Sequence, residues 1–113
     1  MTDLTIVKGD DVLLEVTLVD SDGDPINLTD ATVFFTAKRS FDDSDDDAVI
    51  KKDVNNHTDA ENGVTTIHIT NTESDVDPMY YYYDIQVVDS ADSVQTPEKG
   101  RLIVKKEVTR RKS

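Results

Sequence analysis

The sequence predicts an all-β chain, an antiparallel sandwich or small barrel of about seven short strands, and three observations predict it. Apolar residues recur with a period of two in one segment after another, clusters of Gly, Pro, Asn and Asp separate those segments at roughly even spacing, and helical periodicity is almost absent. The acidic residues agree: 19 of the 24 are Asp, a poor helix former and a good turn former. A chain of 113 residues suits one core, expected over residues 1–108, with 109–113 as a basic tail.

The first strand is expected between Thr2 and Val7 and is closed by a Gly9-Asp10 turn. From Val12 to Val19 the residues Val12, Leu14, Val16 and Leu18 form a wholly apolar face, and Leu13, Glu15, Thr17 and Val19 a mixed one. That is the pattern of a strand with one side on a core and the other partly wet. The next segment, DSDGDPINLTDA, breaks the ladder, because Asp22-Gly23 is a hairpin signal and Pro25 lacks a backbone donor. Alternation resumes at Thr32 to Lys38, where Val33, Phe35 and Ala37 point one way and Phe34 the other.

The run Ser40 to Asp47 carries five Asp in eight positions and reads as an exposed loop, since such charges cannot be buried unpaired. Val49 to Val54 is expected as a short edge strand whose Lys51 and Lys52 discourage unwanted pairing. After the loop NNHTDAENG, Thr65, Ile67 and Ile69 alternate against Thr66, His68 and Thr70. One helical turn is expected in TESDVDP, capped by Thr72 or Ser74. MYYYYDIQVVD is the most strand-like segment, with Tyr81, Tyr83, Ile85 and Val87 inward and Tyr80, Tyr82, Asp84 and Gln86 outward. The last strand is expected near GRLIVKKEV, with Leu102 and Val104 sharing a face.

Composition narrows the function. There is no cysteine, which excludes disulfides and thiol catalysis. The start MTDLTIVKGDD lacks the features of a signal peptide, and no stretch has the apolar length that spans a bilayer, so membrane insertion is not expected. The net charge of −12, carried mainly by Asp, resembles proteins of salt-loving archaea. Charge is also unevenly placed: residues 99–113 hold seven basic residues and one acidic, 7 − 1 = +6, which leaves −12 − 6 = −18 for the rest. A chain so divided can dock its basic end on an acidic neighbour or on another copy of itself.

Candidate chemistry is sparse. Asp20, Asp22 and Asp24 around Gly23 have the oxygen-rich look of a calcium loop, but Ala31 stands where a bidentate Glu is needed, and a solvated turn is the simpler reading. His57, in a loop, and His68, facing outward, have no partner at a triad or zinc spacing. Catalytic residues, cofactors and metals are therefore expected to be none. Asn27 and Asn56 match the permissive glycosylation pattern. Partner contact is expected at Tyr80 and Tyr82, the outward pair of the tyrosine run, and at the basic residues Lys105, Lys106, Arg110, Arg111 and Lys112. A specific nucleic-acid site is not expected, because the −18 body repels phosphate and no aromatics interleave with the cations.

The string GDD..LLEVTLVDSDGDPINLTDATVFFTAK, then ENGVTTIHIT, then YYYDIQVVDS and GRLIVKKEVT, resembles the immunoglobulin-like module of tailed-phage structural proteins, including the N-terminal part of baseplate upper proteins. The likeness covers about nine tenths of the chain. In that family the first block commonly ends LTGA, and here Asp30 takes the place of the glycine. The resemblance implies an all-β, immunoglobulin-like antiparallel β-sandwich of about seven strands. It also implies a non-enzymatic component of a tailed virion, on the tail, baseplate or capsid exterior, and the Asp-rich composition points to a haloarchaeal host for that virus. Expected partners are other virion structural proteins in a symmetric multi-copy assembly. The competing expectation is a module that binds host-surface protein or carbohydrate through its loops and exposed tyrosines.

Overall fold

The computed structural model describes residues 3–40 and 48–106. Among them lie seven strands: β1 (Leu4–Val7), β2 (Val12–Thr17), β3 (Thr32–Lys38), β4 (Ile50–Val54), β5 (Val64–Ile69), β6 (Tyr80–Val88) and β7 (Val94–Lys105). They form a five-stranded sheet of order β1-β7-β6-β3-β4 and a two-stranded sheet β2-β5. The alternation read from the sequence sets the inner faces. Val33, Phe35 and Ala37 of β3, Tyr81, Tyr83, Ile85 and Val87 of β6, and Leu102 and Val104 of β7 are buried from the large sheet, and Ile67 and Ile69 from the small one. Together with Leu18, Ile26, Leu28 and Ala31 they make one apolar cluster.

Four details depart from the expectation. The sheets are not wholly antiparallel, since β1 runs parallel to β7 with Leu4 opposite Leu102 and Val7 opposite Lys105. No hairpin joins these strands, so nothing forces them antiparallel; after Val7 the chain turns at Gly9 (φ 83°) and passes into the other sheet. The last strand begins at Val94, six residues before Gly100, because a register shift between Ile85 and Val87 accommodates Thr96 and Pro97. A proline that reads as a strand breaker is tolerated where the ladder already bulges.

The turn expected in TESDVDP is capped by neither Thr72 nor Ser74. Thr70 Oγ1 accepts from the Glu73 N–H at 3.2 Å while Glu73 Oε1 accepts from the Thr70 N–H at 2.9 Å, a reciprocal capping pair. Ser74 is instead fully buried and donates its hydroxyl to the Asp10 carbonyl at 2.6 Å, tying this turn to the start of β2. Lastly, a short 3₁₀ turn spans Ala60–Asn62 inside what the sequence presents as loop.

Two further turns follow one rule. Asp20 Oδ1 accepts from the N–H groups of Asp22 and Asp24, and Asp89 Oδ1 accepts from those of Ala91 and Ser93. Each carboxylate replaces the backbone partners that a tight reversal leaves unpaired. Asp30 takes φ 60°, the left-handed region where glycine is easiest, and Asp is among the few other residues that enter it readily. Close by, Asn27 Oδ1 accepts from the Thr29 N–H at 2.9 Å.

Candidate functional site

The outward residues of the large sheet gather the expected contact residues. On β6 these are Tyr80, 60% exposed, and the half-buried Tyr82. Register then decides their neighbours. Tyr80 lies opposite Ile103 and Tyr82 opposite Arg101 on β7, and Tyr82 opposite Lys38 on β3. One step further along, Asp84 stands between Lys99 on β7 and Thr36 on β3. Lys105 shares the parity of Arg101 and Ile103 and is exposed on the same face. Lys106 is exposed just beyond the strand, while Arg110, Arg111 and Lys112 lie outside the described residues.

Arg101 organises this face. Its guanidinium lies 5.4 Å from the centroid of the Tyr80 ring and donates from Nη2 to Asp3 Oδ2 at 3.0 Å. The hydrogen bond from Arg101 holds the Asp3 carboxyl below its ordinary value, and Asp3 in turn raises Arg101. The cation is thereby fixed over the ring rather than left to sweep solvent. Beside it runs a groove of about 350 Å³ lined by Thr36, Lys38, Tyr82, Asp84, Thr96 and Lys99. The sequence singles out Tyr80, Tyr82 and Lys105 here but not Lys38, which lies more than forty residues before Tyr82 and joins it only through the β3–β6 register.

The remaining candidates fall elsewhere. His68 is exposed on β5, with Nε2 3.8 Å from Asp11 Oδ1. His57 is no idle loop residue: Nε2 lies 2.8 Å from the Ala31 carbonyl and Nδ1 2.9 Å from Thr65 Oγ1. A carbonyl only accepts, so Nε2 carries the proton, and in the neutral ring Nδ1 accepts from the Thr65 hydroxyl. Thr65 is fully buried, and the histidine thus supplies partners to polar groups at the core edge. Among the described residues no group of three or more His, Asp or Glu side chains is placed to hold a metal ion. No helix among them is long and apolar enough to cross a membrane.

No protein-family model matches the chain, and no curated protein matches it in sequence. Fold and site together define an all-β protein, a five-stranded curled sheet with a two-stranded companion, that presents aromatic and cationic side chains on the outside of its larger sheet.

Proposed function

We propose that this chain is a non-enzymatic structural component of a tailed-virus particle, an immunoglobulin-like module assembled on the tail, the baseplate or the capsid exterior. Support for the immunoglobulin-like reading comes from the Tyr81 hydroxyl, which donates to the Asp77 carbonyl at 2.6 Å at the entry to β6. Such a tyrosine corner, at the turn into a central strand of the larger sheet, is a mark of that sandwich. Two residues on, Tyr83 stacks on Phe35 of β3 with centroids 5.6 Å apart, filling the middle of the core with aromatic rings. The smaller sheet keeps two strands, fewer than in antibody domains.

The assembly reading rests on one observation: Tyr80, Tyr82, Arg101, Lys38, Lys99 and Lys105 share one face of a chain whose net charge is −12. Aromatic rings and ordered arginines are the groups that carry contact energy in interfaces, and a cationic face suits the acidic surface of a neighbouring virion protein. Mass spectrometry of purified particles should find the chain in stoichiometric amount, and its absence there removes the proposal. Particles carrying the Tyr80→Ala, Arg101→Ala double variant should retain less of it.

A second reading, recognition of a host carbohydrate, is favoured by the groove beside Tyr82, where a ring, hydroxyls and Asp84 line one depression. Saturable binding on a glycan array, abolished by Tyr82→Ala, would select it over assembly.

A further inference from the structure

Sheet edges present unpaired backbone donors and acceptors, and folded proteins blunt them. The edges here are treated unequally. On the large sheet, β4 carries Lys51, Lys52 and Asp53; β1 is four residues long; and the part of β7 that β1 does not cover contains Pro97, the register shift and Lys99. On the small sheet the outer side of β5 is covered by residues 57–59, through His57 to Thr65, a 2.7 Å bond between the Thr58 and Thr66 hydroxyls, and the Asp59 N–H to the Val64 carbonyl. Among the described residues, the outer edge of β2 has none of these devices. Its sequence, VLLEVT, contains no Lys, Pro or Gly, and β5 is its one ladder partner among the described residues.

Burial agrees. Ile69, Ile67 and Thr65 of β5 are fully buried, whereas the β2 residues facing them, Val12, Leu14 and Val16, are only half-buried. The apolar layer therefore thins toward the open edge. Leu13, on the outer face, is 71% exposed, the most exposed large apolar residue among those described.

We propose that β2 pairs antiparallel with β2 of a second copy, making a continuous four-stranded sheet β5-β2-β2-β5 about a two-fold axis at Leu14. The Leu18 N–H donates to the Gly63 carbonyl, and alternation along the ladder then points the N–H and C=O groups of Leu13, Glu15 and Thr17 away from β5. In the pairing centred on Leu14, Leu13 and Glu15 of opposite copies exchange both backbone bonds, and Asp11 meets Thr17. On the inner face Leu14 meets Leu14 and Val12 meets Val16, so the apolar row continues unbroken. No carboxylate directly faces another in this register, whereas an axis at Leu13 sets Asp11 against Glu15, and an axis at Glu15 sets Glu15 against itself. Charge and burial together select the Leu14 axis and a closed, isologous pair.

This inference stands apart from the virion reading, and its test uses the isolated protein, so either can fail without the other. Each copy carries −12, so long-range repulsion opposes pairing at low salt and is screened in about 1 M salt, where the Debye length is about 3 Å. Sedimentation equilibrium should show the dimer fraction rising with salt. Leu13→Glu places two like charges opposite Glu15 across the axis, and Leu13→Lys places two opposite ones. Compared in about 0.1 M salt, where a Debye length of about 10 Å leaves contact pairs largely unscreened, the dimer of L13E should be at least about tenfold weaker than that of L13K, which should match or exceed the unchanged protein. Because Leu13 is exposed, both variants keep the fold, which circular dichroism checks. A monomer at every salt concentration, or equal effects of the two variants, overturns the proposal.

Discussion

The Tyr81 hydroxyl lies 2.6 Å from the Asp77 carbonyl, four residues earlier, although the tyrosine is fully buried. One bond thus ties the turn before β6 to the middle of the core and gives a buried phenol its partner. Tyr81→Phe keeps the ring and removes the donor. Chemical denaturation should show a loss of about 1–3 kcal/mol, with the circular dichroism spectrum unchanged.

Alkali should act on the neighbouring tyrosine. Burial first, and then the Glu98 carboxylate, pushes the Tyr83 hydroxyl up to about 12 from 10.0. Between those values the folded chain keeps a proton that the unfolded chain has lost, so stability is full below pH 10 and falls as pH rises toward about 12. Tyr83→Phe should flatten that part of a stability-against-pH curve.

Acid should act on Glu73. Burial disfavours its charge, but the Thr70 N–H and the Lys52 ammonium, 2.9 Å from both carboxylate oxygens, outweigh burial and hold its carboxyl below the ordinary value. Its contribution is present above the ordinary carboxylate range and is lost as pH falls through the lowered pKa. The pair is partly exposed, so Glu73→Gln should cost about 1 kcal/mol at neutral pH and remove this acid-sensitive component.

Two glycines with similar backbones should respond differently. Gly23 (φ +84°) has nothing within 4 Å of an added Cβ, so Gly23→Ala should cost about 1–2 kcal/mol for the left-handed conformation alone. At Gly63 (φ +74°) a Cβ would stand 2.6 Å from the Leu18 carbonyl oxygen and 2.9 Å from that of Ile26. Both are backbone atoms that cannot swing aside, and the Gly63 carbonyl also accepts from the Leu18 N–H. Gly63→Ala should lose clearly more than Gly23→Ala, by about 2 kcal/mol or greater, and thermal unfolding of the two variants compares them directly.

Removal of His57 should also be felt. Replacement by Ala strips a donor from the Ala31 carbonyl and an acceptor from the buried Thr65 hydroxyl, and should cost about 1–3 kcal/mol in denaturant unfolding.

Period-two alternation was enough to place the apolar segments of the strands and their inner faces, because a strand's side chains obey a local rule that the chain itself writes. Val33, Phe35 and Ala37, or Tyr81, Tyr83, Ile85 and Val87, could be assigned inward from their own segments. Turn chemistry was legible for the same reason at Gly9 and Gly23. The first half of β7, VQTPEK, carries no apolar alternation, and only the register of β6 shows the bulge that admits Pro97 to the strand. The parallel β1–β7 pair and the bridging role of His57 were hidden as well, since each joins residues across a long separation, whereas Thr70 and Glu73, three residues apart, carry the capping-box spacing in the sequence itself.

Which residues face a core, and where the chain must turn, follow from neighbours a few positions apart and so are written along the chain. Tertiary structure alone decided which strand lies beside which. That choice put Arg101 over Tyr80, brought Lys38 to Tyr82, covered the edge of β5 and left β2 with β5 as its one ladder partner among the described residues. The physical reason is that strand order and register are set by burying a common layer between two sheets, a condition on the whole chain that no local pattern contains.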